Sequence, residues 1–189
     1  MNSILITLKQ TTRPHHERLE KKLDLFAPDF SQGDYLRLLI AFWGFYRPIE
    51  TRLTGLPELR ACMPDMLRRI KLPLLSADLR ALGVGSDAQE QLPVCRDLPV
   101  CDGLAAALGC LYVLEGASLG GQVISRHFNH SLNLNAHNGT AFFTGYGAAT
   151  GPMWQAFTTR LMAAGADEAA LVNSACETFL SLEQWLYPP

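Results

Sequence analysis

LAAALGCLYVLEGASLGGQVISRHF, residues 104–128, reads as one long helix, apolar enough to be largely buried. Four glycines interrupt it: Gly109, Gly116, Gly120 and Gly121. Each costs up to ~1 kcal/mol relative to alanine inside a helix, so a helix needed only for the core would carry Ala or Leu there. Gly109, Gly116 and Gly120 are spaced seven and four residues apart, which puts them on one face. The face has no side chains, so something flat or bulky can lie against the backbone. Close helix–helix packing explains the same stripe. A membrane dimer of the GxxxG kind does not, because Asp102, Glu115 and Arg126 break the run short of the ~20 apolar residues a spanning helix needs.

Around this stretch the 189-residue chain is 48% hydrophobic and 18% charged, which suits one globular domain over residues 1–189. A net charge of −2 gives no general attraction to nucleic acid. The opening MNSILITLKQTTR has no signal-peptide core or cleavage site, so a cytoplasmic location is expected, with no membrane partner. Five cysteines without a CxxC pair fit a reduced set. Cys95 and Cys101, which flank a proline-containing loop, are placed to approach each other. His127, His130 and His137 have no cysteine or acidic partner at zinc-ligand spacing.

Upstream, residues 4–25 show a helical period, with Leu5, Leu8, Thr12, His16, Leu19 and Leu23 on one face and Thr11, His15, Arg18 and Lys22 on the other. His16 is therefore expected to point to the core and His15 to water. Pro14 leaves two readings open: a bend just before His16, or a helix that starts near Arg13. Ser31 and Asp34 cap a second, aromatic-rich helix to about Leu53. A shorter helix is expected over 55–73, with a basic run of Arg68, Arg69 and Lys71. Another, ADLRAL, is expected behind Ser76 as its cap. Residues 83–101 read as loop, and 129–151 as turns with one short helix. Pro152 opens a helix to Ala163, and Asp167 opens the last. No strand alternation appears, so the chain is expected to be an all-α domain of seven to nine helices.

A core-facing histidine near one end and a helix face without side chains together suggest a slot for a flat cofactor. Heme fits, because imidazole supplies an axial ligand and glycine lets the opposite helix lie close over the ring. Glu20, one turn after His16, is in reach of its second ring nitrogen. Taken singly, His16 also reads as a hydrogen-bonded core histidine and Glu20 as a solvent-exposed carboxylate.

LKQTTRPHHERLE, residues 8–20, resembles the N-terminal segment of heme oxygenases, in which a Lys, a Thr and the ligand His recur. In that pattern Thr12 precedes the ligand by four, which selects His16. YVLEGASLGGQVI, residues 112–124, resembles the distal-helix signature of the same family. GTAFFTGYG and GPMWQAF are similar to the region leading into the last helices of the bacterial members. The similarity spans almost the whole chain, and the compact bacterial type is the nearest kind. It implies heme between a proximal N-terminal helix and a glycine-rich distal helix. His16 would be the iron ligand, Glu20 its orienting carboxylate, and Lys9 a cation near a propionate. Gly116, Gly120 and Gly121 would cover the ring, and Tyr112 and Arg160 are further propionate candidates.

The implied reaction converts heme, O2 and electrons from a ferredoxin- or flavodoxin-type donor into biliverdin, iron and carbon monoxide. The biliverdin would serve a bacteriophytochrome, or the released iron would be the purpose. One residue departs from the pattern: many members carry Asp after the first distal glycine to anchor waters, and this chain has Ala117. The backbone of Gly116 and Ala117, or Ser118, then has to hold them. That departure motivates an alternative, a non-catalytic heme- or bilin-binding protein. Similar helical folds also host thiamine-degrading enzymes with an active cysteine, but Cys110 has no base at activating spacing.

Overall fold

The computed structural model describes residues 3–188, which contain helices and no strand. Nine α-helices follow in order: α1 Ser3–Leu23, α2 Gln32–Gly55, α3 Pro57–Cys62, α4 Leu72–Ala81, α5 Ser86–Glu90, α6 Leu104–Leu132, α7 Ala141–Thr144, α8 Thr150–Ala163 and α9 Glu168–Leu186. Single 3-10 turns precede α4 and α8.

Helix α6 is the central element, and it packs chiefly on α9. It passes the length and composition test for a membrane span, yet 56% of its most apolar window is buried inside the protein. Here it is a core helix. Its crossing with α9 is tight at Gly109, where an added Cβ would collide with the Leu171 carbonyl. Helix α1 lies along α9 in the same direction. Arg18 and Lys22 both reach Glu183 at 2.7 Å, and the Tyr187 hydroxyl donates to the Lys22 carbonyl at 2.8 Å. Helix α2 completes the core with buried Tyr35, Leu39, Phe42, Trp43, Phe45 and Ile49. At its start Ser31 and Asp34 form a reciprocal capping box, as the sequence suggests.

Several boundaries differ from the sequence reading, each for a non-local reason. Helix α1 runs unbroken through Pro14, so the start near Arg13 is excluded. Residues 55–73 break into α3 and a 3-10 turn. Ser76 is no cap: it lies inside α4 and its hydroxyl donates to Gln89 Oε1 at 2.8 Å. The first turn of α4 is capped instead by Glu50 of α2, which accepts from the Lys71 and Leu72 amides at 2.6 and 3.0 Å. Stretch 83–101 contains the short helix α5. The Cys101 thiol donates to the Pro99 carbonyl at 3.3 Å, and all five cysteines are free.

Asp78 of α4 holds the segment after α6 in the same long-range way. Its carboxylate accepts from the Ala141 and Phe142 amides at 2.7 and 2.8 Å, at the start of α7. Burial pushes this carboxyl up from 3.8 to about 6, against the two amide bonds. The folded chain thus holds the proton more tightly than the unfolded one. The stability this provides is complete below the ordinary carboxylate value and is lost as pH rises through about 6. Asp78→Asn removes the titration. In urea unfolding, the wild type should therefore lose ground against Asp78→Asn as pH rises from about 4 to about 6. A constant difference would show that Asp78 does not titrate in that range.

Candidate functional site

Helix α1 keeps the predicted face. Leu8, Thr12 and Leu19 are buried along it, and Leu5 and Leu23 are partly so. His16 shares the face but does not point into the core: its side chain is 53% exposed. The expectation of a buried His16 is thus corrected. On the α9 side, His16 meets the Phe179 ring edge-on, at a ring-centroid distance of 5.9 Å. His15 is half-buried and lies 3.2 Å from Arg18, so it is not the freer of the two rings. His16 Nδ1 faces Glu20 Oε2 at 3.3 Å. Glu20 is itself exposed. With Nδ1 turned to the carboxylate, Nε2 is the nitrogen left to bind something else.

The glycines of α6 divide into two kinds. Gly109 and Gly121 are packing glycines, because an added Cβ would run into the carbonyls of Leu171 and Phe143. Gly116 and Gly120 border open space: a Cβ at Gly116 would come no nearer than 3.9 Å, to Trp154, and one at Gly120 would meet nothing within 4 Å. The bare face is therefore closed at Gly109, touches the Trp154 ring at Gly116 and is open at Gly120. Leu119 and Val123, at 48% and 53% exposure, flank the open glycines and make an apolar shelf. The shelf and His16 share an anchor. The Tyr112 hydroxyl lies beside the Thr12 side chain, whose own hydroxyl donates to the Leu8 carbonyl at 2.7 Å, with Gly116 one turn after Tyr112 and His16 one turn after Thr12.

Thr12 and Tyr112 bring the histidine-bearing helix and the glycine helix together from distant parts of the chain. The heme oxygenase family model matches residues 2–187. The chain belongs to the heme oxygenase family. Among solved structures, the heme oxygenase of Neisseria meningitidis, described in NO- and CO-bound form, is similar in fold. It has a TM-score of 0.79 and 22% sequence identity, over 98% of this chain and 93% of that one. No curated protein matches.

For a heme oxygenase family member, the remaining candidates fall unevenly. Lys9 is exposed on α1, two turns before His16. The Tyr112 ring lies 5.5 Å from that of Trp154. Arg160 is not free, because its guanidinium pairs with Asp65. Ala117 is exposed beside the shelf. Ser118 is corrected: its hydroxyl donates to the Glu115 carbonyl at 2.5 Å, and its Cβ lies against Gly145, away from the open glycines. A surface hollow lies between α1 and α9, lined by Thr7, Thr11, Val172 and Cys176.

The largest element missed in the sequence is a buried charge cluster directly before Gly116. Glu115, Arg69 and Lys71 are 1%, 2% and 3% exposed. The Glu115 carboxylate takes Arg69 on one oxygen. On the other it takes Lys71 Nζ at 2.8 Å and the Tyr146 hydroxyl at 2.7 Å. Asp65 joins Arg69 to Arg160. Burial pushes the Lys71 amine down, offset by Glu115. Burial pushes the Glu50 carboxyl up to about 7. The sequence signal was a lone Glu in an apolar helix together with the basic run 68–71.

The residues present are of a kind that fits a flat macrocycle: an exposed imidazole with Nδ1 on Glu20 and Nε2 available, and a stretch of α6 at Gly116 and Gly120 where the backbone carries no side chain. A paired set of substitutions tests which glycines serve it. Gly116→Ala and Gly120→Ala should leave the ligand-free protein as stable or up to ~1 kcal/mol more stable, since alanine is the better helix former. Both should weaken hemin binding. Gly109→Ala and Gly121→Ala should cost ~1–3 kcal/mol by overpacking, read as a lower urea midpoint. Destabilisation by the first pair would mean that the shelf is already packed by protein.

Proposed function

We propose that this protein cleaves heme oxidatively to biliverdin, with release of iron and carbon monoxide. The observation that carries the reading is His16 with its Nδ1 on Glu20, exposed on an otherwise buried stripe, one turn past the contact that ties α1 to the glycine shelf. His16 Nε2 would ligate the iron, and Glu20 would keep the other ring nitrogen protonated and the ring oriented. When bound, heme supplies both the iron at which O2 is reduced and the ring that is opened. Gly116 and Gly120 would let the α6 backbone approach that ring and exclude bulk water above it. Lys9 and the Tyr112 hydroxyl would meet the propionates, a role Arg160 could fill only by leaving Asp65. Electrons would come from a ferredoxin- or flavodoxin-type donor in the cytoplasm, and a bacteriophytochrome is the proposed user of the biliverdin.

A second reading has a specific observation behind it. Ala117 has no polar group, and Ser118 is turned to the Glu115 carbonyl, so neither side chain offers a carboxylate or hydroxyl to the shelf. Turnover then depends on water held by backbone groups of Gly116 and Ala117. If they do not hold it, the protein binds heme without opening it. Reduced heme–protein complex exposed to O2, with electrons from ferredoxin or ascorbate and catalase present, separates the two. Biliverdin formation is expected. A positioned proton donor is typically worth ~10²–10⁴ in rate, so a lasting oxy complex with no biliverdin would establish the binder.

A further inference from the structure

Helix α6 has a second face, and one segment runs along it from Glu115 to Ser125. Glu115, Ser118, Gln122 and Ser125 recur at steps of three, four and three, on the side away from the open glycines. Each meets residues 140–147. The Tyr146 hydroxyl donates to Glu115 at 2.7 Å, and Gln122 Nε2 donates to the Gly147 carbonyl. Ser125 Oγ lies 2.9 and 3.0 Å from the hydroxyls of Thr140 and Thr144. Ser118 abuts Gly145, and Gly121 abuts the Phe143 carbonyl. The segment is itself anchored from the far side. Asp78 holds its first amides, and the Tyr35 hydroxyl donates to the Gly139 carbonyl at 2.7 Å. Its turn passes through Gly145 and Gly147 at φ +53° and +57°, a left-handed conformation that favours glycine.

We propose that this strap, residues 140–147, sets the position of the glycine shelf through Tyr146 and Gln122, which act as positioning residues for the heme site. The inference rests on the heme reading given above. Residues 116–121 include three glycines and have little helix preference of their own. The strap grips the helix at Glu115 just before them and at Gln122 just after them. Because Asp78 and Tyr35 fix the strap to α4 and α2, those two grips fix how far the shelf stands from α1.

The test uses Gln122→Leu and Tyr146→Phe, with Ser131→Ala, whose hydroxyl bonds only within α6, as control. In the ligand-free protein, amide hydrogen exchange over 116–121 should rise by roughly tenfold or more in both variants, with the rest of α6 unchanged. In the ferrous carbon monoxide complex the C–O stretching band should shift or broaden, while hemin affinity stays within about threefold, because His16 and its carboxylate are untouched. Wild-type exchange and an unshifted band in both variants would overturn the proposal. Should Tyr146→Phe not fold, Gln122→Leu decides, since it removes one half-buried bond. If the wild type binds no hemin, the heme reading falls, and the exchange measurement still decides whether the strap holds the shelf.

Discussion

In a His16→Ala variant the Soret band of a histidine-ligated heme is expected to vanish, and to return when imidazole is added. The imidazole is exposed, its Nδ1 is engaged by Glu20 at 3.3 Å, and its removal leaves α1 otherwise intact, because the buried neighbours Leu8, Thr12 and Leu19 carry the packing. The protein should therefore remain folded, and exogenous imidazole should find room on the same side. Glu20→Ala should keep the band but weaken binding, since loss of a partner that orients a ligand typically costs ~10–100-fold. His15→Ala should change little: its ring contact is with Arg18 on the helix surface. A ligand loss in His15→Ala and none in His16→Ala would reverse the assignment.

Replacing Glu115 with leucine is expected to have the largest effect on stability. It would leave Lys71 and Arg69, both buried, short of the carboxylate that takes them. Breaking a buried ion pair from one side typically costs ~3–5 kcal/mol, a large share of the ~5–15 kcal/mol that holds a domain together. Arg69 keeps Asp65, so the loss should fall mainly on Lys71, whose amine burial already pushes down. A triple variant, Glu115→Leu with Arg69→Met and Lys71→Met, should regain much of the loss, because a fully apolar replacement leaves no unpaired charge. Urea unfolding of the two variants is the measurement. A single-variant cost below ~1 kcal/mol would mean that the carboxylate is not the hub of the cluster.

The family match and the observed fold bear out the all-α reading, and the reason it was legible is that its signals are local. A 3.6-residue period, the Ser31–Asp34 capping box and the i,i+4 spacing of His16 and Glu20 all lie within one or two turns. The glycine face was legible too, but not what covers it. Gly109 and Gly116 share that face, and only the crossing of α9 at Leu171 makes one a packing glycine and leaves the other open.

The sequence by itself therefore determined the helical class, the course of α6 from residue 104 and the register that aligns Thr12, His16 and Glu20. The tertiary structure decided the rest: the exposure of His16, the turning of Ser118 to the strap, the capping of α4 by Glu50 and of α7 by Asp78, and the cluster around Glu115. The two caps and the cluster depend on partners 21 or more residues away in the chain. Helical periodicity records which side of a helix is apolar. It carries no record of which distant carbonyl, carboxylate or ring arrives at that side once the chain is packed.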